Sequence, residues 1–350
     1  MFGIKRKKIF SIIVPVYNGK KTLERTLASF ISNKDYIKNV IIVDDCSTDG
    51  TKSVIDKWKG YKFFDIIYHR NESNVGPGPS RKKGIELANS EWITFVDADD
   101  CLTAGCLKYV YENIVDNKDL VILHSQSIFY ESGSFNPDTI AHSDTSCGGN
   151  FYRRKYLVDN NLYPHDTLPL VEDQYFNEKI MYHLDYCEKS DADMIGRFDY
   201  PVYEVHHDTD QGYSYAIRNW EEYCIKYRLL YKQYLVNDYF DIASENEESG
   251  LYAFLVIDYI MNFIFAFYLA TGLQYDEDVN YDFEDEENVE LFRDAMKFYL
   301  KTFGRSTKDF IDYYNNEKES VNEIIDAARI TLGLDVDEEY SFVEFVKNLL

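Results

Sequence analysis

The feature that most constrains this chain is an alternation of short apolar runs with helical spacing from Phe10 to His124. Phe10–Tyr17 is apolar and β-rich, and Thr22–Ile31 follows with Leu23, Leu27 and Phe30 on one helical face. Val40–Val43 reads as a second strand and Thr51–Trp58 as a second helix. Phe64–Tyr68 and Ser80–Ala88 repeat the pattern, Trp92–Val96 is a fourth strand, and Leu120–His124 a fifth. Strands alternating with helices of this length predict a parallel α/β sheet covered on both faces. In such sheets ligands bind beyond the carboxyl ends of the strands.

Three polar clusters fall at those ends. Asn18 follows the first strand, Asp44 and Asp45 the second, and Asp97, Asp99 and Asp100 the fourth. Asp97-Ala98-Asp99-Asp100 closes an apolar strand and precedes a helix. Carboxylates held there can grip a hard divalent cation, which can in turn neutralise a diphosphate leaving group. The same tetrapeptide also suits a helix N-cap. Asp44 and Asp45 precede Cys46-Ser47-Thr48-Asp49-Gly50, where Asp49-Gly50 is turn chemistry. A carboxylate at that strand end could accept the imide N–H of a uracil.

Taken together these segments carry a resemblance. Val14-Pro15-Val16-Tyr17-Asn18, then Val43-Asp44-Asp45-Cys46-Ser47-Thr48-Asp49-Gly50-Thr51, then Asn74-x-Gly76 with Arg81 and Gly84-Ile85, then Asp97-Ala98-Asp99-Asp100 resemble the ordered signature of family 2 glycosyltransferases of the GT-A fold. The resemblance covers roughly Phe10 to Leu107. It implies a Rossmann-like nucleotide-diphospho-sugar transferase sheet and a UDP-sugar donor. Pro15 and Tyr17 would lie against the base and ribose, with Asn18 beside them. Asp45, with Asp44 close by, would read uracil, and Arg81 would face the base or diphosphate. Asp97 and the neighbouring Ala98 would touch the ribose or sugar, and Asp99, with Asp97, would ligate Mn2+ or Mg2+. The family's usual Ala-Arg-Asn is here Ser80-Arg81-Lys82, and Gly76-Pro77-Gly78-Pro79 carries an extra proline. Two later segments extend the likeness. Cys147-Gly148-Gly149-Asn150 resembles the acceptor-side glycine segment, and Glu172-Asp173 resembles the acidic pair whose Asp is the catalytic base. Glu172-Asp173 would also suit a first helical turn through the macrodipole. His206 or His207 could supply a late metal ligand; neighbours on a strand point to opposite faces, so at most one of them faces the ion.

From about Tyr215 the pattern becomes helical, with Trp220, Tyr223, Tyr227, Leu230, Tyr231 and Tyr234 at helical spacing. Further helical patterns run through Leu251–Thr271, Val289–Phe303, Val321–Leu332 and Phe342–Leu349, and an acidic stretch from Asp276 to Glu287 reads as an exposed loop. The expected organisation is a catalytic domain over 1–214 and a helical domain over 215–350 that binds acceptor or self-associates. Leu251 to Gly272 is apolar, but Asp258 and Asn262 near its middle favour a buried helix over a membrane span. Six scattered cysteines without a CxxC pair fit neither a zinc motif nor a disulfide scaffold, and point to a reduced, cytoplasmic setting. A net charge of −24 disfavours a nucleic-acid partner.

The resemblance implies inversion at the anomeric carbon, with the metal and Arg81 stabilising the diphosphate and Asp173 taking the acceptor proton. The implied acceptor is a surface glycan or glycopolymer, with protein, lipid or modified-base DNA as alternatives. A non-catalytic sugar-nucleotide or carbohydrate-binding module is the reading from another class; it would predict loss of Asp97, Asp99 or Asp173, all of which are present. A dinucleotide-dependent oxidoreductase would need a GxGxxG turn after the first strand, which is absent.

Overall fold

The computed structural model describes residues 8–131, 134–135, 140–142, 146–187, 194–206, 226–245, 250–273, 286–317 and 342–349. The chain divides into two compact units, Met1–Tyr215 and Ala216–Leu350.

The first unit is built on a mixed sheet. Its strands are β1 (Phe10–Val16), β2 (Ile37–Asp44), β3 (Asp65–Arg70), β4 (Trp92–Phe95), β5 (Cys101–Leu102), β6 (Ile122–Glu131), β7 (Ser134–Phe135), β8 (Ala141–His142), β9 (Phe151–Arg153) and β10 (Ile195–His206). They lie in the order β3-β2-β1-β4-β9-β6-β10-β5, with β7 and β8 paired to β6. The strands β3, β2, β1 and β4 are parallel, as the alternating pattern predicts. The sheet is not parallel throughout: β9 runs antiparallel between β4 and β6, and β5 antiparallel to β10. An antiparallel partner needs no crossover helix, so a strand of two or three residues can join the sheet directly from a loop.

Alternation along the strands makes two cores. Ile12, Val14, Val40, Ile42 and Trp92 pack on one face with Leu23 and Leu27 of α1 (Leu23–Ser29), Ile55 and Trp58 of α2 (Thr51–Tyr61), and Leu107 and Val110 of α4 (Cys106–Ile114). Ile13, Ile41, Val43, Ile93 and Phe95 pack on the other with Ile85 of α3 (Pro77–Leu87), Leu157 of α5 (Arg154–Asp159), and Phe176 and Ile180 of α6 (Glu172–Tyr182). Helix α3 begins three residues before the expected Ser80. Pro77 opens the helix, a position where its fixed φ and missing N–H cost nothing. A Cβ at Gly84 would sit 2.2 Å from Ile13 Cγ2, so glycine there lets α3 lie close on β1.

The second unit contains helices Arg228–Glu245, Leu251–Leu273, Glu286–Phe303 and Phe342–Leu349, with a further helix over 307–317. The ring of Phe263 meets those of Phe292 and Phe310 edge-on at 5.5 and 5.7 Å. Asp258 accepts from Lys232 Nζ at 2.8 Å, and Asn262 Oδ1 accepts from Arg228 Nε at 2.6 Å. The apolar helix thus spends its polar residues inside the helical unit. Among the described residues no helix is long and apolar enough to cross a membrane. The expected helix Val321–Leu332, Trp220 and Tyr223, and the acidic stretch before Glu286 lie outside the described residues.

Candidate functional site

The parallel register levels the strand ends, with Val16 opposite Asp44 and Asp44 opposite Arg70. The loops after β1 and β2 are laced together there. The Asn18 N–H donates to Ser47 Oγ at 2.9 Å, and the Thr48 N–H donates to Asn18 Oδ1 at 2.8 Å. Asn18 and Cys46 both take left-handed φ, 53° and 65°, which lets each loop turn away from its strand. Pro15 ends inside β1, while Tyr17 stands 50% exposed at the loop.

Asp44 and Asp45 divide the work at the end of β2. The buried Asp44 accepts the Ser47 N–H at 2.8 Å, the Tyr68 hydroxyl at 2.8 Å and Arg70 Nη1 at 2.7 Å. Burial works against its charge, but these donors outweigh it and hold the carboxyl below the usual range. Asp45 Oδ1 accepts Asn71 Nδ2 at 2.8 Å and the Val75 N–H at 2.9 Å, and its Oδ2 accepts the Gly76 N–H at 2.8 Å. Three donors leave lone-pair capacity on a carboxylate for one more. Asp45 thus holds the loop that leads into α3, and Asp44 is consumed within the chain.

Arg81 is buried on α3 and joins two carboxylates distant in sequence. Its Nη1 pairs with Glu172 Oε1, and its Nη2 donates to Asp97 Oδ1 at 2.8 Å. Burial disfavours the guanidinium charge, yet Asp97 and Glu172 outweigh burial and keep it charged. Glu172 and Asp173 open α6, directly after Val171, whose φ is 60°. A β-branched residue with positive φ is strained, and such strain collects where geometry is imposed on a site. Burial pushes the Glu172 carboxyl up to about 7 against the pull of Arg81. It raises Asp173 as well, with Arg81 again opposing. Asp173 Oδ1 accepts the Gln174 N–H at 2.8 Å.

The acidic loop after β4 is braced by β10. The Asp97 N–H donates to the Tyr203 hydroxyl at 3.1 Å, which donates to Asp100 Oδ2 at 2.7 Å. Asp100 Oδ1 accepts the His206 N–H at 2.8 Å. Burial, with Asp97 and Asp99 nearby, raises the Asp100 carboxyl well above its usual range. The Ala98 carbonyl accepts Thr26 Oγ1 at 2.9 Å, and the Asp99 carbonyl accepts Arg25 Nη2 at 2.6 Å. Asp97 and Asp99 keep partly exposed carboxylates, whose hard oxygens suit Mn2+ or Mg2+. The glycine segment packs on the same tyrosine: a Cβ at Gly149, where φ is 74°, would meet Tyr203 Cβ at 2.5 Å.

Arg81 therefore brings Asp97 and Glu172 together, and Asp173 follows directly on α6. Asp45 and the exposed Tyr17 stand at neighbouring strand ends. His206 is drawn instead to Glu204 and Cys101: among the described residues these three form the group of ligand atoms close enough to share an ion. His207 lies outside the described residues. Tyr203 is the bracing residue that motif reading passed over, while Asp100 was read as part of the acidic motif and not as its brace. The only sequence signal for Tyr203 is the alternation in Val202-Tyr203-Glu204-Val205.

Residues 11–178 match the family model described as glycosyl transferase family 2. The chain is 32% identical over 187 residues to the poly(ribitol-phosphate) beta-N-acetylglucosaminyltransferase TarS of Staphylococcus aureus, covering 49% of this chain and 32% of that protein. It is 31% identical over 117 residues to the poly(ribitol-phosphate) beta-glucosyltransferase of Bacillus spizizenii, covering 32% of this chain and 18% of the relative. The chain thus spans at most about a third of the length of these two relatives. Among solved structures, S. aureus TarS 1-349 in complex with UDP-GlcNAc aligns with a TM-score of 0.62 at 22% identity, over 84% of this chain and 81% of that one. That likeness is one of fold.

Proposed function

We infer the function of this chain from its membership of glycosyl transferase family 2, to which residues 11–178 assign it: it transfers a sugar from a UDP-sugar to an acceptor hydroxyl with inversion. The observation that carries this reading is Arg81, which ties the acid of the β4 loop, Asp97, to the first residue of the acidic pair on α6, Glu172. Two acidic segments far apart in sequence are thereby held at one place. A reaction that uses one of them at the leaving diphosphate and the other at the acceptor needs that arrangement.

On this reading Tyr17 lies against the base, Asn18 shapes the loop beside it, and the remaining acceptor capacity of Asp45 reads the uracil imide. Asp99 and Asp97 hold the divalent cation, which when bound supplies positive charge against the diphosphate. Arg81 adds its own charge and keeps Glu172 in place. Asp173 takes the proton of the acceptor hydroxyl as it attacks from the face opposite the diphosphate. The raised carboxyl of Asp173 suits this, since a base works best near the operating pH. The helical unit carries acceptor binding or self-association. The relatives named for poly(ribitol-phosphate) support a cell-surface polyol-phosphate or glycan acceptor.

The test is a panel of nucleotide sugars with Mn2+ or Mg2+, reading release of the nucleoside diphosphate. UDP-sugars should be turned over and GDP- and ADP-sugars not. Equal release from all three classes, or none from any, contradicts the reading.

A further inference from the structure

Glu204 and His206 stand two residues apart on β10 and so share one face of the strand. β5 pairs antiparallel with that strand and sets Cys101 opposite Glu204. The Cys101 thiol sulfur, a Glu204 carboxylate oxygen and a His206 ring nitrogen all lie within 4.8 Å of one another. His206 Nε2 is 3.6 Å from Glu204 Oε2. On the other flank β6 places Tyr130 opposite His206, and the two rings stack at 4.8 Å and 6°. Stacking sets the plane of the imidazole, and the His206 N–H to Asp100 sets the backbone beneath it.

We propose that Cys101, Glu204 and His206 form a site for a borderline-soft divalent ion such as Zn2+, separate from the hard-cation site at Asp97 and Asp99. A thiolate, an imidazole and a carboxylate are the donor set that selects zinc over magnesium or manganese. With bonds of roughly 2.0–2.3 Å, neighbouring ligands of a tetrahedral ion lie roughly 3.3–3.7 Å apart. The His206–Glu204 separation already falls there. The thiol closes in by a small side-chain rotation and loses its proton to solvent as the sulfur–metal bond forms, leaving the fourth position to water. Occupancy cross-links β5 to β10 beside Asp100, and so stiffens the loop that carries Asp97 and Asp99.

The experiment titrates Co2+ into the metal-free full chain and follows the thiolate-to-cobalt charge-transfer absorption in the near ultraviolet, then displaces it with Zn2+. One equivalent should produce the band, and Zn2+ should bleach it. Cys101→Ser should abolish the band, and Glu204→Gln should weaken Co2+ binding by at least about tenfold. Asp99→Ala and Cys46→Ser should leave both unchanged. The absence of a band in the wild type overturns the site, as does an undiminished band in a folded Cys101→Ser variant. Loss of the band in Asp99→Ala shows a single shared site and overturns the separation. If Cys101→Ser fails to fold by circular dichroism, Glu204→Gln decides: unchanged Co2+ affinity there overturns the site. No donor sugar enters the readout, so its failure leaves the transferase reading untouched.

Discussion

The Tyr203 hydroxyl donates to Asp100 at 2.7 Å while it accepts the Asp97 N–H at 3.1 Å, so one buried tyrosine of β10 holds both ends of the acidic loop. Asp100 sits among Asp97 and Asp99, and burial raises its carboxyl well above the usual range. Asp100→Asn keeps one oxygen to accept the His206 N–H and turns an amide N–H towards the Tyr203 hydroxyl, which can rotate to accept it. Asp100→Asn should therefore retain fold and turnover, with a stability change under about 1 kcal/mol. Tyr203→Phe leaves a buried carboxyl and a buried N–H short of a partner and should cost about 1–3 kcal/mol. Urea denaturation of both variants checks the contrast; equal losses would contradict it.

Asp45 should matter twice. Asp45→Ala removes three hydrogen bonds to the loop before α3, and bonds to a charged group contribute about 1.5–3 kcal/mol each. A loss of about 3 kcal/mol or more is expected. Asp45→Asn keeps one acceptor oxygen and should lose less. Calorimetry on the wild type should show UDP binding more tightly than GDP or ADP, with the preference erased in Asp45→Ala. Equal affinities for the three nucleotides in the wild type would refute uracil reading.

Removing the ion should act through Asp99. Asp99→Ala takes away a partly exposed carboxylate, not a core side chain, so the thermal midpoint should move little. Sugar transfer should vanish. Full activity of that variant in the presence of a chelator would rule out the metal role.

How much of this was visible beforehand follows from residue period and length. The strands β1, β2 and β4 were legible because unbroken runs such as Ile12–Val14 and Ile41–Val43 are buried on both faces. The places of Asp97 and Asp99 after β4 and of Asp173 in the first turn of α6 were legible because short polar motifs end or begin such elements. The antiparallel β9 was not: Phe151–Arg153 is too short to carry a period, and its pairing with β4 and β6 is set by tertiary context. The same holds for Cys101, whose place opposite Glu204 depends on the register of a two-residue strand. The bonds that occupy Asp44 and Asp45 were also hidden, since Tyr68, Arg70 and Asn71 reach them only across the sheet.

The acidic pair gives turnover and stability opposite responses to pH. Burial raises Glu172 to about 7 and raises Asp173 too, so the folded state binds more protons than the unfolded chain between the ordinary carboxylate range and about 7. This contribution to stability is full at low pH and is lost as pH rises through that window. Turnover needs the base unprotonated, so it should fall as pH drops into the raised range of Asp173. A pH profile of kcat should show one acid limb, absent in Asp173→Asn; a limb that survives that substitution would assign the titration elsewhere.

The most direct test of the whole account compares turnover with donor binding in Asp173→Asn. The amide keeps the size and hydrogen bonding of the side chain but cannot take the acceptor proton. General-base help is typically worth about 10²–10⁴-fold, so turnover should fall by that range while the affinity for UDP-sugar stays close to wild type. Glu172→Gln should reduce turnover less and destabilise more, because it weakens the buried partner of Arg81. Normal turnover in Asp173→Asn, with Glu172→Gln inactive, would reverse the assignment. Normal turnover in both would remove the base from α6 and contradict the account.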